Sequence, residues 1–421
     1  MEFLTKYSKK CVNFVKNDSI PKPIINVIDI QKKMNEAYKF INYKITKELF
    51  IPKLHDITDL PLFYRFMKSL SDKKELGKHK IPTDDKYFAD IIIFFKWCRT
   101  FQILDEFDNF YKLVEKSKEY IEFIKTLTKE QKKVINFIDG NKFMSLDVQQ
   151  HMESSDIQYF EVMIDNCLVI LYVPKSLSIH IDTFLQKIAH ILEFYKLFCK
   201  FKIRIEIFLG KQRKEFSFDD LLSSDNVNTG MTDRIKIKIW RCEEILKVLF
   251  HEMIHYLNLI PHSNEKNYDL LCDFYKNTFN YDGVDAHYEA LTEALAIIYH
   301  SVFIEFYTKI PFDEVIYHEL CFTLFQISKI LDFYHMKPSD LFDKNKNSIF
   351  QTTNVLSYYI VKGFIIFNAG WFGCDILEYI TFLKKAIASN FLMYVNMDKL
   401  GEKNDNFIWK TLRMSCYELT Y

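Results

Sequence analysis

The stretch from Cys242 to Leu259 reads CEEILKVLFHEMIHYLNL and has the apolar spacing of one unbroken helix. Within it, His251 and His255 are four residues apart, and Glu252 directly follows the first histidine. Residues i and i+4 of a helix lie one turn apart on the same face, so both imidazoles can reach a single metal ion. The stretch therefore predicts a helix that carries a metal site.

Zinc is the metal that this pattern favours. A catalytic zinc ion usually has three protein ligands and an open fourth position for water, which becomes a nucleophile near neutral pH. Glu252 is placed to accept a proton from that water instead of binding the metal. The alternative is a structural helix with hydrogen-bonded histidines, but three ionisable groups would be costly to bury in so apolar a helix without a metal or other partners.

The residues before this helix predict a small sheet. Period-2 alternation and β-branched residues mark the strands, and an Asp-Asn pair marks a turn. The predicted elements are a hairpin over 157–174 that turns at Asp165-Asn166, a helix over 182–197, and strands over 202–209 and 234–240.

Outside this central block the spacing is mostly helical. It is clearest over 105–138, and strand signals nearly vanish after residue 242. Only 9 Gly and 9 Pro occur in 421 residues, which favours long helices. We therefore predict an α+β protein with a helical N-terminal region (1–150), a catalytic core (151–310) and a helical C-terminal region (311–421).

A strand, an H-E-x-x-H helix and a later helix with a glutamate resemble the gluzincin clan of zinc metallopeptidases. In that clan the third ligand lies in a motif of the type [N/T]-E-x-x-A, and residues 292–296 read T-E-A-L-A. The resemblance implies a zincin-like core with Glu293 as the third zinc ligand. Glu289, one turn earlier, is then expected near the site without binding the metal, or in solvent. His262 and His287 remain alternative ligands.

The resemblance also implies an activity. We expect a zinc-dependent peptidase (Zn²⁺ cofactor, peptide or protein substrate) with Glu252 as general base and strand 234–240 as the sheet edge that pairs with substrate. A tetrahedral intermediate needs a second electrophile besides zinc. Tyr358 is the candidate, while Tyr299, His300 and Tyr359 stay open as alternatives. The other functions to weigh are an inactive zincin-fold scaffold and a hydrolase of another amide or ester.

Composition limits the partners and the compartment. Basic and acidic residues number 56 each, so no overall field attracts nucleic acid or an anionic membrane. Nine scattered cysteines without a C-x-x-C pair argue against a disulfide framework. No signal peptide or clean membrane span is apparent, so we expect a cytoplasmic protein without a membrane or nucleic-acid partner. The oligomeric state stays open.

Overall fold

The computed structural model describes residues 4–16, 20–54, 126–138, 143–216, 221–233, 235–260, 265–284, 286–368, 376–397 and 406–420. Chain contacts define two compact units. The first comprises Met1–Lys47, Phe160–Leu171 and Ser178–Tyr421, and the second comprises Glu48–Tyr159 and Tyr172–Leu177. The three predicted regions are continuous stretches divided by their helical or strand pattern. Each of the two units combines segments that are far apart in the chain.

The fold is α+β with a small mixed sheet, as predicted. Six strands have the order β1-β2-β3-β4-β6-β5, in which β6 runs parallel to β4 and antiparallel to β5. Two further strands, β7 and β8, form a parallel pair. The strands are β1 Lys44–Ile51, β2 Ile157–Ile164, β3 Cys167–Pro174, β4 Arg204–Phe208, β5 Gly230–Thr232, β6 Lys236–Ile239, β7 Tyr281–Gly283 and β8 Ile349–Gln351.

Most helices belong to the first unit. They are α1 Lys6–Val15, α2 Ile28–Tyr38, α5 Ile181–Lys196, α6 Ser224–Val227, α7 Ile245–Tyr256, α8 Glu265–Thr278, α9 Glu289–Thr308, α10 Phe312–Phe333, α11 Lys362–Asn368, α12 Ile376–Ile387 and α13 Asn406–Lys410. A π-helix covers Leu356–Val361, and 3-10 helices cover Pro338–Phe342 and Asn390–Tyr394.

The second unit contains α3 Lys129–Ile138 and α4 Leu146–Ser154, together with parts of β1, β2 and β3. Tyr159 is a buried residue of this unit. Its hydroxyl accepts a hydrogen bond of 2.9 Å from the Lys133 ammonium, and its ring lies edge-on to Tyr172 at 5.4 Å. Phe137 of α3 contacts the same Tyr172 ring, so α3 is joined to the strands by aromatic packing.

The position of the two-histidine helix follows from its composition. The first ten residues of α7 are buried and seven of them are apolar, as expected of a helix in the core. It packs against α9 on one side and against β5 and β6 on another. Among the described residues, α9 is the one helix long and apolar enough to cross a membrane, but 78% of its apolar window is buried in the protein, as in ordinary core helices.

Residues 411–419, here called the C-terminal segment, are buried throughout without forming a helix or strand. Their backbone N–H groups need acceptors in the interior. The Glu319 carboxylate of α10 accepts hydrogen bonds from the backbone N–H groups of Cys416 (3.0 Å) and Tyr417 (3.3 Å). Buried charge therefore substitutes for a strand partner and fixes this segment in the core.

Two local predictions differ from the structure, and a third lies mostly outside the described residues. Residues 44–51 form strand β1 within a region predicted to be helical, because KITKELFI alternates along its length. Strand β6 is internal, and the sheet edge is β5, whose three residues are too few to show a period. Most of the helical stretch predicted over 105–138 lies outside the described residues, and α3 is the part that is described.

The start of the two-histidine helix also differs. Glu243 and Glu244 fall within the predicted helix (Cys242 to Leu259) but precede the observed one, and Glu244 has a left-handed backbone (φ 61°). The Glu244 carboxylate pairs with the Lys214 ammonium at 2.8 Å and accepts the backbone N–H groups of Met414 and Ser415. These contacts hold a backbone conformation that non-glycine residues rarely adopt.

Candidate metal centre

Helices α7 and α9 bring three potential ligands together: His251, His255 and Glu289. The Nε2 atoms of the two histidines are 3.1 Å apart, and each lies 3.2 Å from Oε2 of Glu289. Zinc ligands at 2.0–2.1 Å from the ion form a tetrahedron with edges of about 3.3–3.4 Å. The three atoms thus form a triangle of nearly the size that tetrahedral zinc requires, and two imidazoles with one carboxylate are a donor set that zinc accepts.

Glu293 occupies a different place from the one predicted. Its Oε2 lies 2.9 Å from Nδ1 of His251, on the side of the ring opposite Nε2. The other carboxylate oxygen forms an ion pair with Lys247, and the Lys362 ammonium is 4.0 Å away. The structure therefore brings Glu289, not Glu293, to the Nε2 atoms of the histidines.

There is a physical reason why Glu289, and not Glu293, lies at the Nε2 atoms of the histidines. Glu289 is the first residue of α9 and its side chain is 16% exposed, whereas Glu293 lies one turn deeper and is fully buried. At that depth a carboxylate needs cationic partners, and Lys247 and Lys362 provide them. A carboxylate that accepts the second N–H of a ligating histidine fixes the tautomer and orientation of the ring.

The carboxylates control the protonation of His251 when no metal is bound. Burial lowers its pKa, but the hydrogen bonds that its ring N–H groups donate to Glu289 and Glu293 outweigh burial and raise that pKa to about 9. For the two glutamates burial raises the pKa, yet the cations around them hold it well below the usual range: chiefly His255 for Glu289 and Lys247 for Glu293. Since a metal needs a neutral imidazole, metal binding must release the proton of His251.

Glu252 lines the same cleft as His251 and lies next to strand β5. The Thr232 hydroxyl donates to its carboxylate and lies 3.2 Å from its backbone carbonyl oxygen. A Cβ atom at Gly230 would lie 2.7 Å from Oε1 of Glu252 and 2.8 Å from a methyl carbon of Val248. Glycine is therefore required for the edge strand to approach the side chain of Glu252 this closely.

Tyr358 is the one of the four candidate electrophiles that lines the cleft. It lies in the π-helix, an element that is rare and often found at functional sites. Its ring centroid is 6.1 Å from that of His251, and the Asn354 amide donates to its hydroxyl at 3.4 Å. Burial, reinforced by the charges of Glu289 and Glu252, raises the Tyr358 pKa well above its ordinary value, so the hydroxyl keeps its proton.

The other candidates have structural partners. The Tyr359 hydroxyl donates to the backbone carbonyl of Leu412 in the C-terminal segment. Tyr299 packs edge-on against Phe194 at 5.2 Å in an aromatic cluster. His300 is buried, and its ring lies 6.2 Å from Phe250. None of the three is among the residues that line the cleft.

Of the two alternative histidine ligands, His287 is not part of the group formed by His251, His255 and Glu289. His287 is buried, with its ring 4.3 Å from Tyr275. His262 lies outside the described residues.

The cleft holds about 300 Å³ of empty space, part of it open to solvent. Besides the predicted residues His251, Glu252, Glu293 and Tyr358, it is lined by residues that the sequence analysis did not identify, including Lys214, Lys247, Thr229 and Met414. The sequence could have indicated that Lys247 belongs to the site. It is four residues before His251 on the same face of an otherwise apolar helix, where a lysine needs a buried partner.

No protein-family model, no curated protein and no solved structure matches this chain.

Proposed function

We propose that this chain is a zinc-dependent peptidase in which His251, His255 and Glu289 hold the metal and Glu252 is the general base. The observation that carries the proposal is the triangle of ligand atoms, 3.1–3.2 Å on each side, together with the cleft that His251 and Glu252 both line. Glu289 replaces Glu293 as the proposed third ligand because of these distances.

A bound zinc ion would supply Lewis acidity, which lowers the pKa of water to near neutrality and polarises a carbonyl oxygen. Glu252 accepts the proton of the attacking water and later delivers it to the leaving amine. Thr232 supports this role, because its hydroxyl donates to the carboxylate and holds it against β5. Glu293 keeps His251 in the tautomer whose Nε2 faces the metal.

Tyr358 donates a hydrogen bond to the oxygen of the scissile carbonyl as negative charge develops there. The group must be protonated for this role, which fits its raised pKa. Asn354 donates to the tyrosine oxygen, leaving the tyrosine proton available for the substrate.

Strand β5 gives the substrate a place to bind. It is an edge strand of the six-stranded sheet and lies directly beside Glu252. An extended peptide can add to such an edge through backbone hydrogen bonds. The peptide carbonyl to be cleaved would then pass close to the general base.

The experiment is hydrolysis of a broad peptide library by the purified protein, with metal content measured on the same sample. We expect about one zinc per chain, and cleavage that stops when a chelator removes the zinc and returns when zinc is restored. His251→Ala should bind no zinc and cleave nothing. A zinc-loaded wild type that cleaves no peptide would contradict the proposal and favour a scaffold or a hydrolase of another amide or ester.

A further inference from the structure

The inner part of the cleft contains polar groups that the proposed reaction does not use. Lys214, Lys247 and Thr229 line the same cleft as His251 and Glu252. Their relative exposures are 1%, 1% and 3%. Two ammonium groups and a hydroxyl at this depth require hydrogen-bond partners.

Thr229 lacks such a partner. Among the described residues, no group forms a hydrogen bond with its Oγ1, although that atom is buried. The backbone of Thr229 is fixed, because its carbonyl oxygen accepts the N–H of Trp240 at 2.9 Å. A buried hydroxyl without a partner is rare in a native protein, and at the wall of a cleft it is available to a ligand.

The two lysines have donor capacity left. Each ammonium carries three N–H donors. Lys247 pairs with Glu293, and its other contact is the Met414 thioether at 3.5 Å, which is a weak acceptor. Lys214 pairs with Glu244 at 2.8 Å. A stronger acceptor entering the cleft could use the remaining donors.

The buried cations around this end of the cleft each lie near a carboxylate. Lys214 pairs with Glu244, Lys247 pairs with Glu293, and the Lys362 ammonium is 4.0 Å from the same Glu293. What Lys214 and Lys247 offer a ligand is therefore their remaining N–H donors, which a carboxylate can accept with both of its oxygens.

We infer that the inner part of the cleft binds a carboxylate of the substrate, held by Thr229, Lys247 and Lys214, next to the bond that is cleaved. This inference rests on the proposed peptidase function and adds a substrate class to it. The carboxylate can be the C-terminus of a peptide or the side chain of an Asp or Glu that follows the scissile bond. Both present the same two oxygens to the site.

The test compares matched peptides on the zinc-loaded protein. One pair differs only in a free or amidated C-terminus, and a second pair, blocked at both ends, has Glu or Gln after the scissile bond. We expect one pair to show a kcat/KM at least tenfold higher for the carboxylate, and the pair that does so identifies its source. Equal rates within both pairs would overturn the inference and leave the peptidase function standing.

Thr229→Val tests the site itself, because it removes the hydroxyl and keeps the shape. We expect the kcat/KM of the carboxylate peptide, relative to that of its neutral match, to fall by about tenfold or more, as for loss of a hydrogen bond to a charged group. Thr323→Val, buried in α10 and not lining the cleft, should change neither rate. Equal slowing of both peptides by Thr229→Val would contradict the assignment.

A binding measurement keeps this test independent of the proposed activity. Calorimetry can compare N-acetylglycine with N-acetylglycinamide on zinc-loaded wild type and Thr229→Val. Tighter binding of the acid by wild type than by the variant would support the carboxylate site even if no peptide were cleaved. Equal affinity of the two proteins for the acid would contradict the carboxylate site.

Discussion

Glu289 and Glu293 lie on successive turns of α9, and the same substitution should affect them in opposite ways. In Glu289→Gln the zinc site loses one of three protein ligands, so we expect zinc affinity to fall by more than about 100-fold. The fold should change little, because the Glu289 side chain lies at the open end of the helix.

In Glu293→Gln the amide still accepts the N–H of His251, so zinc affinity should fall by only about 10–100-fold. The larger effect is on stability. Lys247 and Lys362 lose their shared counter-charge at a fully buried position, which costs about 3–5 kcal/mol of unfolding free energy.

Two assays separate these effects: competition for zinc with a chromophoric chelator, and denaturant unfolding of the metal-free proteins at pH 8. Glu314→Gln, at an exposed position at the start of α10, is the matched control. If Glu289→Gln kept wild-type zinc affinity while Glu293→Gln lost zinc altogether, the ligand assignment would be wrong and the sequence-based choice of Glu293 correct.

Three further predictions concern pH, the edge strand and the cysteines. The raised pKa of His251 stabilises the metal-free protein below pH 6.5, and this stability, about 3 kcal/mol, is lost as pH rises through about 9. Unfolding curves between pH 6 and 9.5 should show this loss of stability in the zinc-free protein and not in the zinc-loaded one. A zinc-free stability that does not change with pH would contradict the raised pKa of His251. Gly230→Ala should keep zinc but lose most activity, because the new methyl group meets the Glu252 carboxylate; unchanged kcat/KM would show that the contact has no role. Dithiothreitol should leave the melting temperature unchanged, since the described cysteines are all free, whereas a clear drop without metal loss would indicate a structural disulfide.

The hairpin, the helices and the α+β class could be predicted because local patterns determine them. Alternation in β4 and β6 and the Asp-Asn turn, where Asp165 has φ 51°, are short-range signals that the structure confirms. The i, i+4 pairing of His251 and His255 is also local, so the structure places their rings together as expected.

The third ligand could not be fixed in this way because it depends on how two helices pack. Glu289 and Glu293 share one face of α9, and only the depth of the crossing with α7 decides which carboxylate meets the Nε2 atoms. The contacts of Glu244 could not be predicted from local patterns either. Its partners in the C-terminal segment are about 170 residues away (|i−j| = 170), and no local pattern reports them.

The most direct test of the central claim is the hydrolysis rate of Glu252→Gln against wild type on one peptide substrate, with zinc content measured in both preparations. The account predicts equal zinc and a rate lower by ~10²–10⁴-fold, because the amide keeps the shape of the side chain but cannot accept the proton from water. A variant that holds equal zinc and cleaves within a few-fold of the wild-type rate would contradict it.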